Sequence, residues 1–328
     1  MKLDSRLRVQ RRFSEDNKVT LYLGHCEQLL SKIPDTTVQL VVTSPPYNIG
    51  KRYEWGKKLR IEEYISDQRS VISMCAARLK PGGSICWQVG NHTVGGALYP
   101  IDIMLYPIFR DVGLVLRNRI IWHFEHGLHC ARRLSGRYET ILWFTRPGRQ
   151  YDFNLSRIRV PQKYPGKKHF KGPKVGKYSA NPLGKNPGDV WVFPNVKHNH
   201  VEKTIHPCQF PVELVERLIL ALSNPGDLVV DPYMGVGSTA VAAILHERRV
   251  AGAELVPDYI QIARERVRKA AAGTLRTRPM NRPIHTPSGV ITLAPWTTSK
   301  KQETQKLAVA RRSTNKPLTL GPTNTPPA

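Results

Sequence analysis

The sequence predicts an α/β domain built around a largely parallel sheet. Short apolar runs alternate along the chain with stretches of helical periodicity, as strand–helix repeats do. The runs end in strings rich in Ser, Pro, Gly and Asp, which make turns. Both features are confined to two blocks, 19–147 and 204–273, of a 328-residue chain that is 40% apolar and so can build a core.

In chain order, Val38–Thr43 is a buried-strand run stopped by Ser44-Pro45-Pro46. Ile61, Tyr64, Ile65, Ile72, Cys75 and Leu79 share one helical face, closed by Pro81-Gly82-Gly83. Ser84–Val89 is a strand, Asp102–Arg110 a helix, and Leu114–Trp122 and Tyr138–Phe144 are strands, the last stopped at Pro147-Gly148. Pro211 suits the first turn of a helix striped by Val212, Val215, Leu218, Ile219 and Leu222 and ended by Asn224-Pro225-Gly226. Leu228–Val230 is a strand, Thr239–His246 a helix, Val250–Glu254 a strand and Asp258–Arg268 a helix.

Charge marks out the remaining segments. The net charge is +25, yet residues 148–203 hold 12 Lys/Arg against 3 Asp/Glu and residues 274–328 hold 9 against 1. The first 18 residues hold 6 against 3. The expected organisation is a basic arm (1–18), a first half-domain (19–147), a basic insert (148–203), a second half-domain (204–273) and a mobile basic tail (274–328). Such an excess favours a polyanionic partner, nucleic acid first. No apolar run approaches the roughly 20 residues that span a bilayer, and the N-terminus lacks a secretory apolar run, so no membrane partner is expected. Five scattered cysteines, with no CxxC pair, suggest a reducing cytoplasm.

Two motifs sit at strand ends. Asp231-Pro232-Tyr233-Met234-Gly235-Val236-Gly237-Ser238-Thr239 follows a strand and opens a helix. Its glycines allow close backbone approach to a ligand, and the helix start offers free N–H groups. Glu254, 23 residues after Asp231, stands where a nucleoside site places its ribose acceptor. The loop is GxG, without the third glycine of the dinucleotide fingerprint, and an Asp at the strand tip repels a pyrophosphate but attracts an ammonium group. S-adenosylmethionine, a sulfonium-bearing zwitterion, fits better than a dinucleotide.

The second motif is Thr43-Ser44-Pro45-Pro46-Tyr47-Asn48. Ligands of open α/β sheets gather at the carboxyl ends of strands, so both motifs can face one crevice. A nucleobase amine is a poor nucleophile because its lone pair is delocalised into the ring. Two acceptors aimed at its N–H groups, Ser44 Oγ and the Pro45 carbonyl, favour a more tetrahedral nitrogen, with Pro46 fixing the backbone direction. Tyr47 offers a face for an extruded base.

Together these motifs resemble the amino-group DNA methyltransferases. The resemblance extends through LYLGHCEQLLSKIPDTTVQLVVTSPPYN, KPGGSICWQVGNH, RYETILWFTR and HPCQFPVELVERLILALSNPGDLVVDPYMGVGST, and so through most of both half-domains. The motif order is that of the family's beta class. The resemblance implies a Rossmann-like, S-adenosylmethionine-dependent methyltransferase sheet, circularly permuted, with a small basic insert that carries target recognition. It implies that Asp231, Tyr233, Gly235, Gly237 and Ser238 line the cofactor site, that Glu254 holds the ribose, and that Ser44, Pro45, Pro46 and Tyr47 form the catalytic motif. His206, Pro207 and Gln209 match an element beside the cofactor. One departure stands out: the family usually shows GDC where this chain has Gly24-His25-Cys26, leaving His25 or Glu27 as the substitute for an acidic contact.

The implied reaction is direct transfer of a methyl group to the N4 amine of cytosine, because SPPY goes more often with N4-cytosine and DPPY with N6-adenine. Cytosine C5 chemistry, which needs a thiolate, is disfavoured; Pro207-Cys208 lies in a segment leading into a helix. The alternatives are an N6-adenine enzyme of the same fold, an enzyme acting on RNA or a protein amide, and a degenerate basic nucleic-acid-binding protein. In the insert, Lys163, Lys167, Lys168, Lys171, Lys174 and Lys177, interleaved with aromatics, are the expected contacts to double-stranded DNA. A restriction endonuclease acting on the same site, without a stable complex, is the expected companion, in a prokaryotic cytoplasm and near the nucleoid. His123, His126, His129 and Cys130 match no standard zinc spacing, and no metal is expected. Trp55 is left between contact with the base or DNA and packing in a lid.

Overall fold

The computed structural model describes residues 7–48, 59–125, 127 and 129–284. Trp55, His126 and residues 285–328 therefore lie outside the described residues. The strands are β1 (Val9–Gln10), β2 (Val19–Leu23), β3 (Val38–Thr43), β4 (Leu79–Val89), β5 (Asn91–Val94), β6 (Ala97–Pro100), β7 (Val115–His123), β8 (Tyr138–Thr145), β9 (Val190–Val192), β10 (Leu228–Asp231) and β11 (Arg249–Glu254). The helices are α1 (Cys26–Leu30), α2 (Ile61–Arg78), α3 (Ile101–Asp111), α4 (Val212–Leu222), α5 (Ser238–Leu245) and α6 (Pro257–Ala271). Every strand and helix expected from the apolar pattern is present.

Nine strands make one sheet in the order β1-β2-β11-β10-β3-β4-β8-β7-β9, and β5–β6 form a separate hairpin. Neighbours are parallel except at β8, which runs antiparallel to both β4 and β7. All six residues of β3 are buried, because helices cover both faces of the sheet. From Leu40 on its side chains alternate, Leu40 and Val42 joining a core shared with α4, α5 and α6 and Val41 one shared with α1, α2 and α3. Val38, before the register shift that precedes Leu40, joins the second core too. Each helix stripe thus closes one of two apolar layers.

The pairing Val229↔Leu40 and Val230↔Val41 makes β3 and β10 neighbours in register. Thr43 and Asp231 end their strands side by side, so the two motifs, far apart in sequence, open on one edge.

Two expected boundaries move. The 148–203 insert is more than irregular surface, because its ends belong to the fold: Tyr151, Leu155, Ile158, Trp191 and Phe193 pack into the α4–α6 core, and β9 extends the sheet beside β7. Scattered lysines obscure these short apolar pieces in the sequence. The exposed arm is narrower, closed by bridges between Val160 and Lys185 and between Lys168 and Tyr178. Residues 274–284, expected to begin the tail, belong instead to the compact unit that ends at Ile284. Leu275 and Met280 pack on the core, and Arg278 pairs with the fully buried Glu213 at 2.5 Å. Among the described residues no helix is long and apolar enough to cross a membrane.

Candidate active site

Asp231 clasps the two motifs together. Its Oδ1 accepts from Thr43 Oγ1 at 2.6 Å and from the Tyr233 N–H at 3.1 Å, and its Oδ2 accepts from Thr239 Oγ1 at 2.6 Å. It is fully buried, which pushes its carboxyl up to about 6. Asp231, expected in the cofactor site, is not among the residues lining the cavity beside it; its three bonds hold the end of β3 to the turn after β10 and to α5.

That turn forms one wall of a cavity of about 520 Å³, a size typical of small-molecule sites. Gly235 (φ +53) donates its N–H to Glu254 Oε2 at 2.9 Å, and the Val256 N–H is donated to Glu254 Oε1 at 2.8 Å. Glu254 is thereby fixed at the end of β11, with lone pairs left to face the cavity. The His206 ring covers Gly235, where an added Cβ would lie 3.4 Å from Nε2. His206 Nδ1 accepts the Cys208 N–H at 3.2 Å, and burial lowers the imidazole to about 4, so it is neutral near pH 7. Tyr233 and Ser238 also line this cavity; the Tyr233 hydroxyl accepts from Gln68 Nε2, and Ser238 Oγ donates to the Phe210 carbonyl. Gly237, also expected in the cofactor site, differs in the same way. It is absent from the cavity wall and lies against α6, where a Cβ would come within 2.9 Å of that of Ala263. Its φ of +80 starts α5, so the second glycine serves helix packing and the first serves the cavity.

Beside Glu254, Gly24 donates its N–H to the Glu254 carbonyl, and His25, Cys26 and Glu27 line the cavity. Glu27 accepts from Ser70 Oγ at 2.6 Å, which places a fixed carboxylate beside the position where the family pattern is broken.

Ser44 and Pro46 form the end of this cavity, and Tyr47 lines a second one of about 390 Å³. The two cavities share Cys208, Gln209 and Phe210. Pro45 is buried and lines neither. Aromatic side chains of Trp122, Phe124 and Tyr138 line the second cavity, as suits a planar base. Two polar groups there are not singled out by the sequence. Gln88 on β4 and Glu139 on the neighbouring β8 lie on a diagonal, Gln88 being in register with Ile141, and Gln88 Nε2 donates to Glu139 Oε2 at 2.5 Å. The Tyr47 hydroxyl donates to Gln88 Oε1 at 2.7 Å, lies 3.2 Å from Glu139 Oε2, and is 2.8 Å from Ser44 Oγ. Burial raises both the Tyr47 phenol and the Glu139 carboxyl. The available signal is a glutamine and a glutamate within the apolar strings SICWQV and ETILWF.

The six lysines are exposed on the insert arm and line neither cavity. Lys163 lies over the Tyr164 ring and Lys168 over that of Tyr178. Among the described residues no group of three or more His, Cys, Asp or Glu side chains could hold a metal ion.

Comparison with known proteins gives this arrangement a family. The N6/N4 DNA methylase family matches residues 38–265. Type II methyltransferase M.BglII of Bacillus subtilis is 49% identical over 76% of this chain and 69% of its own length. DNA adenine methyltransferase YhdJ of Escherichia coli strain K12 is 31% identical over 78% of this chain and 84% of its own. The solved structure of the Thermus thermophilus protein TTHA0409 complexed with S-adenosyl-L-methionine is 28% identical, with a TM-score of 0.55, over 77% of this chain and 94% of that one. With both motifs inside the matched span and facing one edge of the sheet, the chain belongs to the N6/N4 DNA methylase family.

Proposed function

We propose that this DNA methyltransferase moves a methyl group from S-adenosylmethionine to the exocyclic N4 amine of cytosine at a specific site in duplex DNA, as the modification partner of a restriction endonuclease that acts separately on the same site. One observation carries this: Ser44 lines a nucleoside-sized cavity and its Oγ lies 2.8 Å from the hydroxyl of Tyr47, which lines the adjoining aromatic one. The first cavity's donor set fits the methyl donor. Glu254 suits a ribose diol, Gly235 leaves room for close approach, and Glu27 suits a cationic end. When bound there, S-adenosylmethionine supplies an electrophilic methyl: the new N–C bond forms as C–S breaks with its electron pair left on sulfur, and the amine sheds one proton to water. The protein supplies alignment and acceptors. Tyr47, Trp122 and Phe124 hold the base face, and Ser44 Oγ accepts from the amine.

Serine at the head of the catalytic motif favours N4-cytosine. The adenine reading is favoured by the likeness to YhdJ. Incubating the protein with unmethylated bacterial DNA and labelled cofactor, then separating the nucleosides by mass spectrometry, decides between them. N4-methylcytosine is expected, and N6-methyladenine would move the assignment to the second reading. Cys208 lies on the shared wall, so 5-methylcytosine would instead make it a nucleophile.

The lysine arm is assigned to the DNA backbone, which a prokaryotic cytoplasm would present. Replacing Lys163, Lys167, Lys168, Lys171, Lys174 and Lys177 by Ala should weaken duplex binding and flatten its salt dependence, by about 0.9 in the log–log slope for each phosphate no longer neutralised. An unchanged slope in filter binding would remove the arm from the interface.

A further inference from the structure

Ser44 Oγ accepts from an amine only when its own proton points elsewhere, and the groups behind it decide where that proton points. From the reacting edge inward, the chain runs Ser44 Oγ, the Tyr47 hydroxyl, the Gln88 amide and the Glu139 carboxyl, with successive separations of 2.8, 2.7 and 2.5 Å. An ionised carboxylate only accepts. Gln88 must then turn its NH₂ toward Glu139 and its carbonyl toward Tyr47. Tyr47 donates to that carbonyl and accepts from Ser44, and Ser44 is left with lone pairs facing the substrate. A protonated Glu139 can donate, to the Gln88 carbonyl or across 3.2 Å to the Tyr47 oxygen, and so removes the acceptor that fixes this direction. The Gln88 amide is free to flip, Tyr47 is free to donate to Ser44, and the Ser44 proton is then turned toward the amine, where it repels an N–H.

We propose that Glu139 is a positioning residue whose charge sets the direction of this hydrogen-bond chain and so makes Ser44 an acceptor for the target amine; this rests on the methyl-transfer reading above. Glu139 stands at the start of β8, two residues from Ile141, the register partner of Gln88 on the neighbouring strand, and on a different strand from the catalytic motif; it touches neither donor nor amine in this role. Gly90 leaves the space it needs, since a Cβ there would lie 3.4 Å from Glu139 Oε1. Tyr47 and Lys197 are the charged or titratable groups acting on it, and Arg133, Tyr138, Cys130 and Cys208 line the same cavity. Burial raises the Glu139 carboxyl, which brings reversal nearer to working pH. The sign follows: turnover is full above the Glu139 pKa and is lost as pH falls through it.

The test is single-turnover methyl transfer by the full chain to unmethylated bacterial DNA across pH 5.5–8.5. It compares the unaltered protein with Glu139→Gln, Glu139→Asp and Tyr47→Phe, each checked for folding by its melting curve. Glu139→Gln should lose about tenfold or more in rate at pH 8, with cofactor and DNA affinities within about threefold of the parent. It should also lose the acid limb of the rate profile. Glu139→Asp should recover part of the rate and keep a limb. Tyr47→Phe, which breaks the chain without removing the acid, should lose the limb even if Glu139→Gln does not fold. Glu139→Gln at parental rate, or an acid limb unchanged in Glu139→Gln or Tyr47→Phe, overturns the proposal alone. No transfer by the unaltered protein at any pH overturns the methyl-transfer reading and this proposal with it.

Discussion

Ser44→Ala should lose methyl transfer by roughly 10²-fold or more in kcat, the scale of removing one oriented polar group from a reacting centre. The substitution deletes one acceptor beside the Tyr47 hydroxyl and leaves the Asp231 clasp, the Gly235 turn and Glu254 in place. Cofactor affinity should therefore stay within about threefold in calorimetry, and the melting temperature should hardly move, because Ser44 is only half-buried. A large loss of cofactor affinity would mean that Ser44 serves the first cavity and not the reacting amine. Retained turnover would move the acceptor role elsewhere.

The second large effect separates two acids that look alike in sequence. Glu254→Ala should weaken cofactor binding by roughly 10–100-fold, since it removes a ribose acceptor and frees the Gly235 and Val256 N–H groups beside the ligand. Asp231→Ala should act on the fold instead. Three donors converge on its carboxylate, and leaving them unpaired in a buried site costs on the order of 3 kcal/mol, or a Tm drop of roughly 5–10 °C. The protein that remains folded should bind cofactor within about tenfold of the parent. Thermal denaturation and calorimetry on both variants check this, and the reverse pattern would restore Asp231 to the cavity wall.

Asp231 shows how far residue identity can be read without coordinates. Its position at a strand tip before a glycine turn points to the edge where the cavity opens, but spacing alone does not tell a ligand contact from a hydrogen-bond clasp, because both want an acid there. Thr43 and Thr239, its partners, carry no distinguishing signal. Gly235 and Gly237 divide in the same way: both need positive φ, and only the neighbouring α6 reveals that the second is a packing glycine. The sheet is legible because β3, β10 and β11 are apolar runs stopped by clear turn strings. β9 is not, because three residues inside a lysine-rich stretch give no periodicity to read. Gln88 and Glu139 are hidden for a related reason. In strand sequence a polar residue at a buried position looks like ordinary alternation, and its meaning lies in a diagonal side-chain contact with the neighbouring strand, which only the three-dimensional structure supplies.

Charge is the converse case. The net +25 points to a polyanion. The insert, with 12 Lys/Arg against 3 Asp/Glu, presents six lysines on an exposed arm that line neither cavity, as fits a grip on phosphates that positions the protein without specifying bases. The chemistry is left to side chains of little net charge at the strand ends.

The most direct measurement is a crystal structure of the protein with S-adenosylhomocysteine and a duplex containing its target site. The expected result places the nucleoside against Glu254 and Gly235 in the first cavity and an extruded cytosine in the second, with its amine about 3 Å from Ser44 Oγ. A base left stacked in the duplex, or one seated with its amine turned away from Ser44, would contradict the account.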